Sequence, residues 1–408
     1  MQLTYPSFAL AIKESFLRPL SGILLVTGTC VGAGMLALPV VTGLAGFLPA
    51  MAINLICCLF MMATGLLFLE ATLWMEDGAN VLSMAQRFLG PIGKAVCGAS
   101  FIFLYYCLMV SYSAGGAPVF AKLINQAFSI DLSGLSSYMV FGTVFGLFVF
   151  LGTRTIDRLN WLLISGLFLT YILLIGIGSQ GVQSILLERS SWGLSLVAAP
   201  ILFGAYGYHN LLPSMATYYK RNVRTLRFSI IGGTLLPFAI YSLWQWMVIG
   251  SLSLEEIQGA DLRGEPITQT FQNVIGHPWL GRLGEFFGFF ALVTSFLGVS
   301  LSMVDFLADG LKMRRQGLQR LGLCLVVFLP PALFAAANPT IFIEAIGIAG
   351  GYGEAILNGL FPVAMVWIGR YRMALSSVYT VPGGRLLLIL LTLMTLLIIG
   401  IETKHLIQ

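Results

Sequence analysis

The stretch GTCVGAGMLALP, from Gly28 to Pro39, lies inside a long apolar run that extends from Leu20 to Thr42. A helix of about 20 apolar residues is long enough to cross a lipid bilayer. This stretch nevertheless holds three glycines, a threonine, a cysteine and a proline within twelve residues, and glycine and proline are the poorest helix formers. The pattern predicts a membrane helix that is interrupted near its centre.

The composition of the whole chain is typical of a membrane protein. Of 408 residues, 58% are hydrophobic and 10% are charged, and the mean hydropathy is +0.90, whereas soluble proteins are about 25% charged. The apolar runs are long and continuous rather than alternating, which excludes a transmembrane β-barrel. All six cysteines fall inside apolar runs, and we interpret them as packing residues. We therefore expect an all-α integral membrane protein.

Eleven apolar runs are long enough to be membrane spans. They cover approximately residues 20–43, 46–74, 94–125, 135–152, 159–180, 194–218, 228–250, 283–309, 320–337, 340–369 and 384–402. With the N-terminus in the cytoplasm, 17 of the 22 Lys and Arg residues fall in the inner segments, as the positive-inside rule requires. We interpret the net charge of +5 as a topology signal that implies no nucleic-acid partner.

The sixth predicted span carries a second interruption, in PILFGAYGYHNLLPS, from Pro200 to Ser214. It holds Gly204 and Gly207, two polar residues and a Leu-Pro pair. That pair lies 174 residues after the Leu-Pro pair of the first stretch. Because five spans separate their starts, the first and sixth spans run in opposite directions. The layout predicts two five-helix units that are inverted relative to each other.

Matching interruptions in two inverted halves indicate a transport site. An unpaired backbone N–H or C=O is costly in hydrocarbon, so an unwound segment must face protein, water or a ligand. The N-terminus of a half-helix attracts a carboxylate, and free carbonyls attract an ammonium group or a cation. A zwitterionic amino acid suits both ends. Glycines also mark close helix packing in membranes, but two corresponding interruptions favour a binding site.

Three motifs are similar to those of one transporter family. GTCVGAGMLALPVVTGLAGF resembles the opening helix of the bacterial aromatic and hydroxy amino acid permeases, whose pattern is close to G-T-x-I-G-A-G-M-L-A-x-P, with Val31 in place of isoleucine. FGAYGYHNLLPSMATYY resembles the family's Phe/Tyr-Gly-Phe/Tyr-His-x-x-x-Pro-Ser stretch. TSFLGVSLSMVDFLADGLK resembles its S-F-L-G-V … D-Y/F-L-A-D motif. The Gly-rich SYSAGGAP, Ser111–Pro118, is similar to a stretch of the third span.

The resemblance implies a LeuT-like fold of two inverted five-helix repeats with helices 1 and 6 broken. The whole chain, 1–408, would be one transport domain, with repeats over 19–180 and 194–369 and an extra helix over 384–402. The resemblance also implies proton-driven import of tyrosine or tryptophan across the bacterial inner membrane. Because the family includes serine and threonine permeases, other neutral amino acids remain an alternative.

We expect the substrate to contact both interruptions and one tyrosine of the third span. The backbone around the glycines of the first stretch is expected to bind the carboxylate, and the carbonyls of 203–206 the ammonium group. Rings of the sixth span are expected to pack on an aromatic substrate, with ordinary bundle packing as the alternative. The candidate substrate-binding residues are Thr29, Gly32, Ala33, Gly34, Tyr112, Phe203, Gly204, Tyr206, Tyr208 and His209.

His209 has two interpretations. A histidine can gain or lose a proton near neutral pH, which would make it a proton carrier. Alternatively, the neutral ring bonds backbone groups that the interruption leaves free. The second interpretation is slightly favoured.

Ionisable residues inside membrane segments are functional candidates for ion coupling. Glu354, in GGYGEAILNG, lies near the middle of an apolar run and departs from the family pattern. We interpret it as a proton carrier or as a packing residue. Asp305, in the eighth span, is a candidate for gating or coupling. The LeuT-like resemblance places Ser295 and Ser300 opposite the first interruption, where sodium-coupled relatives use hydroxyls, so sodium coupling stays open.

Other functional classes lack their signatures in this sequence. A channel would need repeated pore helices or a ring-forming filter, and an enzyme would need a nucleophile–base pair or a metal cluster. No Walker motif is present, so ATP is not expected to drive transport. The expected partners are the amino acid, a proton or sodium ion, and membrane lipid, with no cofactor.

Overall fold

The computed structural model describes residues 8–275 and 278–407, and the chain is helical with no β-strand in these ranges. Residues 276 and 277, which lie between the seventh and eighth predicted spans, are outside the described residues. Short 3₁₀ turns lie at Ser179–Gly181, Leu196–Ala198 and His209–Leu211, and a π-helix spans Ala349–Leu360. The α-helices are α1 (Phe8–Cys30), α2 (Gly34–Ala45), α3 (Phe47–Leu73), α4 (Val81–Phe128), α5 (Leu135–Leu151), α6 (Thr153–Gly178), α7 (Ser184–Leu187), α8 (Trp192–Ser195), α9 (Ala199–Ala205), α10 (Leu212–Tyr218), α11 (Val223–Ser251), α12 (Leu254–Arg263), α13 (Ile267–Ile275), α14 (Pro278–Gly310), α15 (Gly317–Ala337), α16 (Phe342–Ile348), α17 (Phe361–Tyr371) and α18 (Gly384–Ile407).

The predicted interruption of the first span is confirmed. Helix α1 ends at Cys30 and α2 begins at Gly34, and the two helix axes differ by 65°. Gly34 lies against the second break, since a Cβ added to it would be 3.3 Å from Ala205 Cα. The missing side chain therefore lets the two broken helices meet.

The predicted interruption of the sixth span is also confirmed. Helix α9 ends at Ala205, the chain is non-helical from Tyr206 to Tyr208, and α10 begins at Leu212. Pro213 lies in the first turn of α10, where its missing N–H has no helical partner to lose.

The predicted spans fall on helices. Each of the eleven ranges coincides with one helix or with consecutive helical segments. In the described part of the chain, seven helices and the bent α1–α2 pair are long and apolar enough to cross a membrane. The count of eleven spans and the boundaries of the repeats stay predictions.

Helix α4 is longer than the predicted third span. It begins with a capping box, in which the Asn80 side chain accepts a hydrogen bond from the Ser83 N–H over 2.9 Å. It kinks at Gly90, whose φ of +72° lies in the left-handed region, directly before Pro91. The segment beyond this kink runs past both breaks.

The tenth predicted span contains a π-helix that the sequence analysis did not anticipate. This segment, Ala349–Leu360, packs against α9 and follows α16 without a loop. Gly350 is in close contact with α9, since a Cβ there would overlap the carbonyl oxygen of Pro200 and lie 2.8 Å from the Gly204 nitrogen. π-Helices are rare and are frequent at functional sites.

Candidate substrate cavity between the two broken helices

A cavity of about 310 Å³ lies between the two breaks. Its walls come from α1, α4, α6, the break after α9, α14 and the π-helix. Its polar lining residues are Thr29, Tyr105, Tyr112, Asn160, Asn210, Thr294, Ser295, Ser302, Glu354 and Asn358. A mixed lining of this kind suits a small zwitterion with a partly apolar side chain.

Two further cavities lie away from the breaks. One of about 380 Å³ lies between α5 and α15 and is mainly apolar. The other, of about 640 Å³, lies beside the last turns of α4 and the loop before α5. Because neither contacts a broken helix, we place the candidate substrate site in the first cavity.

Helix α4 supplies an aromatic wall. Phe101, Tyr105 and Tyr112 all line the cavity, and the ring centroids of Phe101 and Tyr105 are 5.7 Å apart. Tyr112 was a predicted site residue, whereas the other two were missed. Their spacing of four and seven residues places all three on one helix face, which is the signal that the sequence offered.

The three rings predicted to contact the substrate lie elsewhere. Phe203, Tyr206 and Tyr208 are fully buried and do not line the cavity. The Tyr206 hydroxyl donates to Asn54 Oδ1 over 2.8 Å, and the Tyr208 hydroxyl donates to the Met61 carbonyl over 3.1 Å. These positions do not agree with the prediction that the three rings contact the substrate directly, because the rings pack against α3 and not against the cavity.

The backbone of the first break is largely covered. The Ala33 N–H donates to Ser295 Oγ over 3.0 Å, so the amide predicted for the substrate carboxylate already has a partner. Gly32, Ala33 and Gly34 do not line the cavity. Thr29 does line it, and its hydroxyl donates to the Leu25 carbonyl over 3.0 Å.

The second break contributes backbone to the cavity. Both Gly204 and Gly207 line it, as does Asn210 in the following 3₁₀ turn. A Cβ on Gly207 would be 2.8 Å from the carboxyl carbon of Glu354. Glycine therefore lets this carboxyl group lie directly on the broken segment.

A tyrosine of α11 joins the ends of the two half-helices. The Tyr241 hydroxyl lies 2.6 Å from the Cys30 carbonyl oxygen, at the end of α1, and 2.8 Å from the Ala205 carbonyl oxygen, at the end of α9. Its single hydrogen is shared between two carbonyls that have no helical donor. The sequence analysis missed this residue because nothing local distinguishes it.

His209 lies outside the cavity. It is fully buried, its Nε2 is 2.9 Å from the Thr64 hydroxyl of α3, and its ring stacks on Tyr208 at 4.7 Å. In the favoured interpretation the ring bonds backbone groups that the interruption leaves free. The observed partner is instead a side chain, that of Thr64. His209 was also a candidate substrate-binding residue, but its neighbour Asn210 lines the cavity and His209 does not. The proton-carrier interpretation stays a prediction.

Only some of the predicted coupling residues line the cavity. Asp305 is 37% exposed at its side chain and lies 3.4 Å from Arg315 Nε. Ser300 is buried and donates to the Phe296 carbonyl of its own helix over 2.6 Å. Neither lines the cavity, whereas Ser295 and Glu354 do.

The fold and the family follow from comparison with known proteins. The chain is 31% identical to tyrosine-specific transport system 1 of Haemophilus influenzae, over 94% of this chain and 96% of that protein. It is also 31% identical to the tryptophan-specific transport protein of that organism, over 90% and 91%. Glutamine transporter 2 of Aliivibrio fischeri is 28% identical over 92% and 97%.

A solved structure has the same LeuT-like fold. It is the crystal structure of the Eremococcus coleocola manganese transporter in complex with an aromatic bis-isothiourea substituted compound. It matches with a TM-score of 0.63 and 14% identity, over 98% of this chain and 88% of that one. The model of the tryptophan/tyrosine permease family matches residues 17–402. The chain thus belongs to that family and is a multi-pass membrane transporter of amino acids, not an enzyme.

Proposed function

We propose that this protein imports tyrosine, tryptophan or both across the bacterial inner membrane by symport with a proton. The observation that carries the proposal is the cavity that touches both broken helices and the aromatic wall of α4. The names of the tyrosine- and tryptophan-specific relatives support the substrate class.

The parts of the cavity suit the parts of an aromatic amino acid. Backbone carbonyls around Gly204 already accept one hydrogen bond each, and a carbonyl oxygen can accept a second one from the ammonium group. Hydroxyls such as that of Ser295 can donate to the carboxylate. The side chain then packs on Phe101, Tyr105 and Tyr112, with edge or offset ring contacts.

The position of the cavity supports a conformation open to the cytoplasm. Gly28 precedes the break in α1, and Ser302 lies in the second half of α14. In the predicted topology, with a cytoplasmic N-terminus, both are on the inner side. On the other side, Gly34 packs on Ala205 and closes the route outward.

The lining favours a proton over sodium as the coupling ion. Sodium would need several oxygen ligands that converge on one point. Ser300 bonds its own helix outside the cavity, and Ser295 accepts the Ala33 N–H. An ionisable carboxyl group, that of Glu354, does line the cavity.

A polar neutral amino acid is a second candidate substrate. Three amide side chains, those of Asn160, Asn210 and Asn358, line the cavity, and amides can pair with a substrate amide. The relative named as a glutamine transporter supports this alternative.

Uptake into proteoliposomes tests these proposals. We expect labelled tyrosine or tryptophan to accumulate under an inward proton gradient without sodium, and a protonophore to abolish the accumulation. Labelled glutamine, serine and threonine are assayed in parallel. No accumulation of either aromatic substrate, together with uptake of one of these three amino acids, would contradict the aromatic assignment, and a requirement for sodium would contradict proton coupling.

Phe101→Leu is expected to raise the KM for tryptophan about twofold to tenfold with little change in the maximal rate. Ring–ring contacts are worth about 0.5–1.5 kcal/mol beyond buried area, and this contact is made in the bound state. Initial uptake rates measured over a range of tryptophan concentrations give both parameters.

Phe120→Leu is the matched control on the same helix. Its ring packs on Phe141, with centroids 5.9 Å apart, and does not line the cavity. Its KM should equal that of the wild type. Equal KM increases in the two variants would argue against a substrate-contacting wall.

A further inference from the structure

Glu354 differs from the other residues that line the cavity. Among the described residues that line the cavity, it is the only acidic or basic residue, and it is 7% exposed. Its carboxyl group lies on Gly207 in the second break, and Oε2 accepts a hydrogen bond from Asn358 Nδ2. The carboxyl group therefore touches the candidate substrate cavity and the broken segment of the sixth span at once.

The groups that face this carboxyl are neutral. They are the Cys30 thiol at the end of α1, the hydroxyls of Tyr105 and Tyr112 on α4, and the Asn358 amide on the π-helix. No Lys, Arg or His lines the cavity among the described residues. A carboxylate there has no protein cation to compensate its charge, so water must solvate it or a proton must neutralise it.

The solvation of the Glu354 carboxyl group changes when substrate binds. An empty cavity holds water that can solvate a carboxylate. An amino acid that fills the cavity displaces this water, and the cavity must then close around it. Because the substrate ammonium group is placed on the carbonyls near Gly204 and not on this carboxyl group, the loaded form requires the neutral carboxyl, whereas the empty form tolerates the charged one.

We propose that the Glu354 carboxyl group carries the coupling proton. This inference rests on the proposed proton symport and assigns its residue. The proton binds Glu354 from the outside together with the substrate, crosses with it, and leaves to the cytoplasm once water re-enters the cavity.

Glu354→Gln separates proton coupling from transport. Glutamine keeps the size of the side chain but cannot release a proton. The full-length variant is reconstituted in proteoliposomes and assayed with whichever aromatic amino acid the wild type takes. One assay measures accumulation under a gradient of one pH unit, and the other measures exchange of labelled for unlabelled substrate without a gradient.

The expected results differ between the assays. If one proton moves with each substrate molecule, a gradient of one pH unit supports up to about tenfold accumulation of substrate. A tenfold concentration ratio of either species corresponds to about 1.4 kcal/mol. The wild type should approach this ratio. The variant should only equilibrate, at a ratio of about one, while its exchange rate stays within about threefold of wild type, because binding and the conformational change do not need proton release.

Glu402→Gln is the matched control. Glu402, on α18, is also a buried acid and packs against the π-helix, with its carboxyl carbon 3.1 Å from the position of a Cβ on Gly351, but it does not line the cavity. Its accumulation and exchange should both equal those of the wild type.

Each other outcome is decisive. Normal accumulation by the Glu354→Gln variant would overturn the assignment, and loss of exchange as well in a monodisperse variant would assign Glu354 to substrate binding instead. A wild type that does not respond to the proton gradient would refute the proposed symport itself. If glutamine prevents folding, Glu354→Asp should shift the pH dependence of accumulation, and an unshifted profile would overturn the assignment.

Discussion

Gly350→Ala is expected to reduce the amount of folded protein sharply and to bring transport to background. The added Cβ would overlap the Pro200 carbonyl oxygen and lie 2.8 Å from the Gly204 nitrogen. Both atoms belong to the backbone of α9, so no side-chain rotation relieves the overlap. Overpacking in a core costs about 1–3 kcal/mol and at times more, and here the shift must also displace Gly204 from the cavity wall.

The measurement for Gly350→Ala is the fraction of monodisperse protein after heating in detergent, followed by uptake. Gly400→Ala on α18 is the control, because a Cβ there would meet no heavy atom within 4 Å. Alanine is the better helix former by about 1 kcal/mol, so this control should be at least as stable as the wild type. Equal behaviour of the two variants would show that α9 and the π-helix are not in close backbone contact.

Arg370→Met is expected to destabilise the protein by about 3–5 kcal/mol, the typical cost of leaving a buried charge without its partner. Arg370 Nε lies 2.7 Å from Glu70 Oε1, and Nη2 lies 2.5 Å from Oε2. The Glu70 side chain is 0% exposed and that of Arg370 is 11% exposed. Among the described residues, the Val381 N–H, 2.8 Å from Oε2, is the one hydrogen-bond donor that would remain in place to hold the carboxylate.

The double variant Glu70→Leu with Arg370→Met shows why Arg370→Met destabilises the protein. Replacing both partners of a buried ion pair by apolar residues is often neutral or stabilising, so the double variant should recover much of the melting temperature that the single variant loses. Arg372→Met, at an exposed position two residues later, should have little effect. A double variant as unstable as Arg370→Met would mean that the loss comes from packing and not from the uncompensated Glu70 charge.

The interruptions of both spans could be predicted because their causes are local. Gly32, Gly34 and Gly207 allow close approaches that a side chain would prevent, and Pro213 suits the first turn of a half-helix. The membrane spans followed from continuous apolar runs, for which a bilayer has one main solution. These features need no knowledge of which helices are neighbours.

The candidate site could be predicted only in part. Thr29, Tyr112, Gly204, Ser295 and Glu354 line the cavity as expected of site residues, but their roles stay proposals. The predicted rings of the sixth span instead pack on α3, because the direction of a side chain at a break depends on the helix that packs beside it.

The sequence by itself determined that this chain crosses the membrane as helices and that two of them break at corresponding places, since glycine, proline and apolar length act locally. Only the tertiary structure decided which groups meet at the breaks. It places Glu354 on Gly207, 147 residues away in the chain, and the Tyr241 hydroxyl between the ends of α1 and α9. Such contacts arise from the packing of distant helices, and the periodicity of one helix shows which residues share a face but not what that face meets.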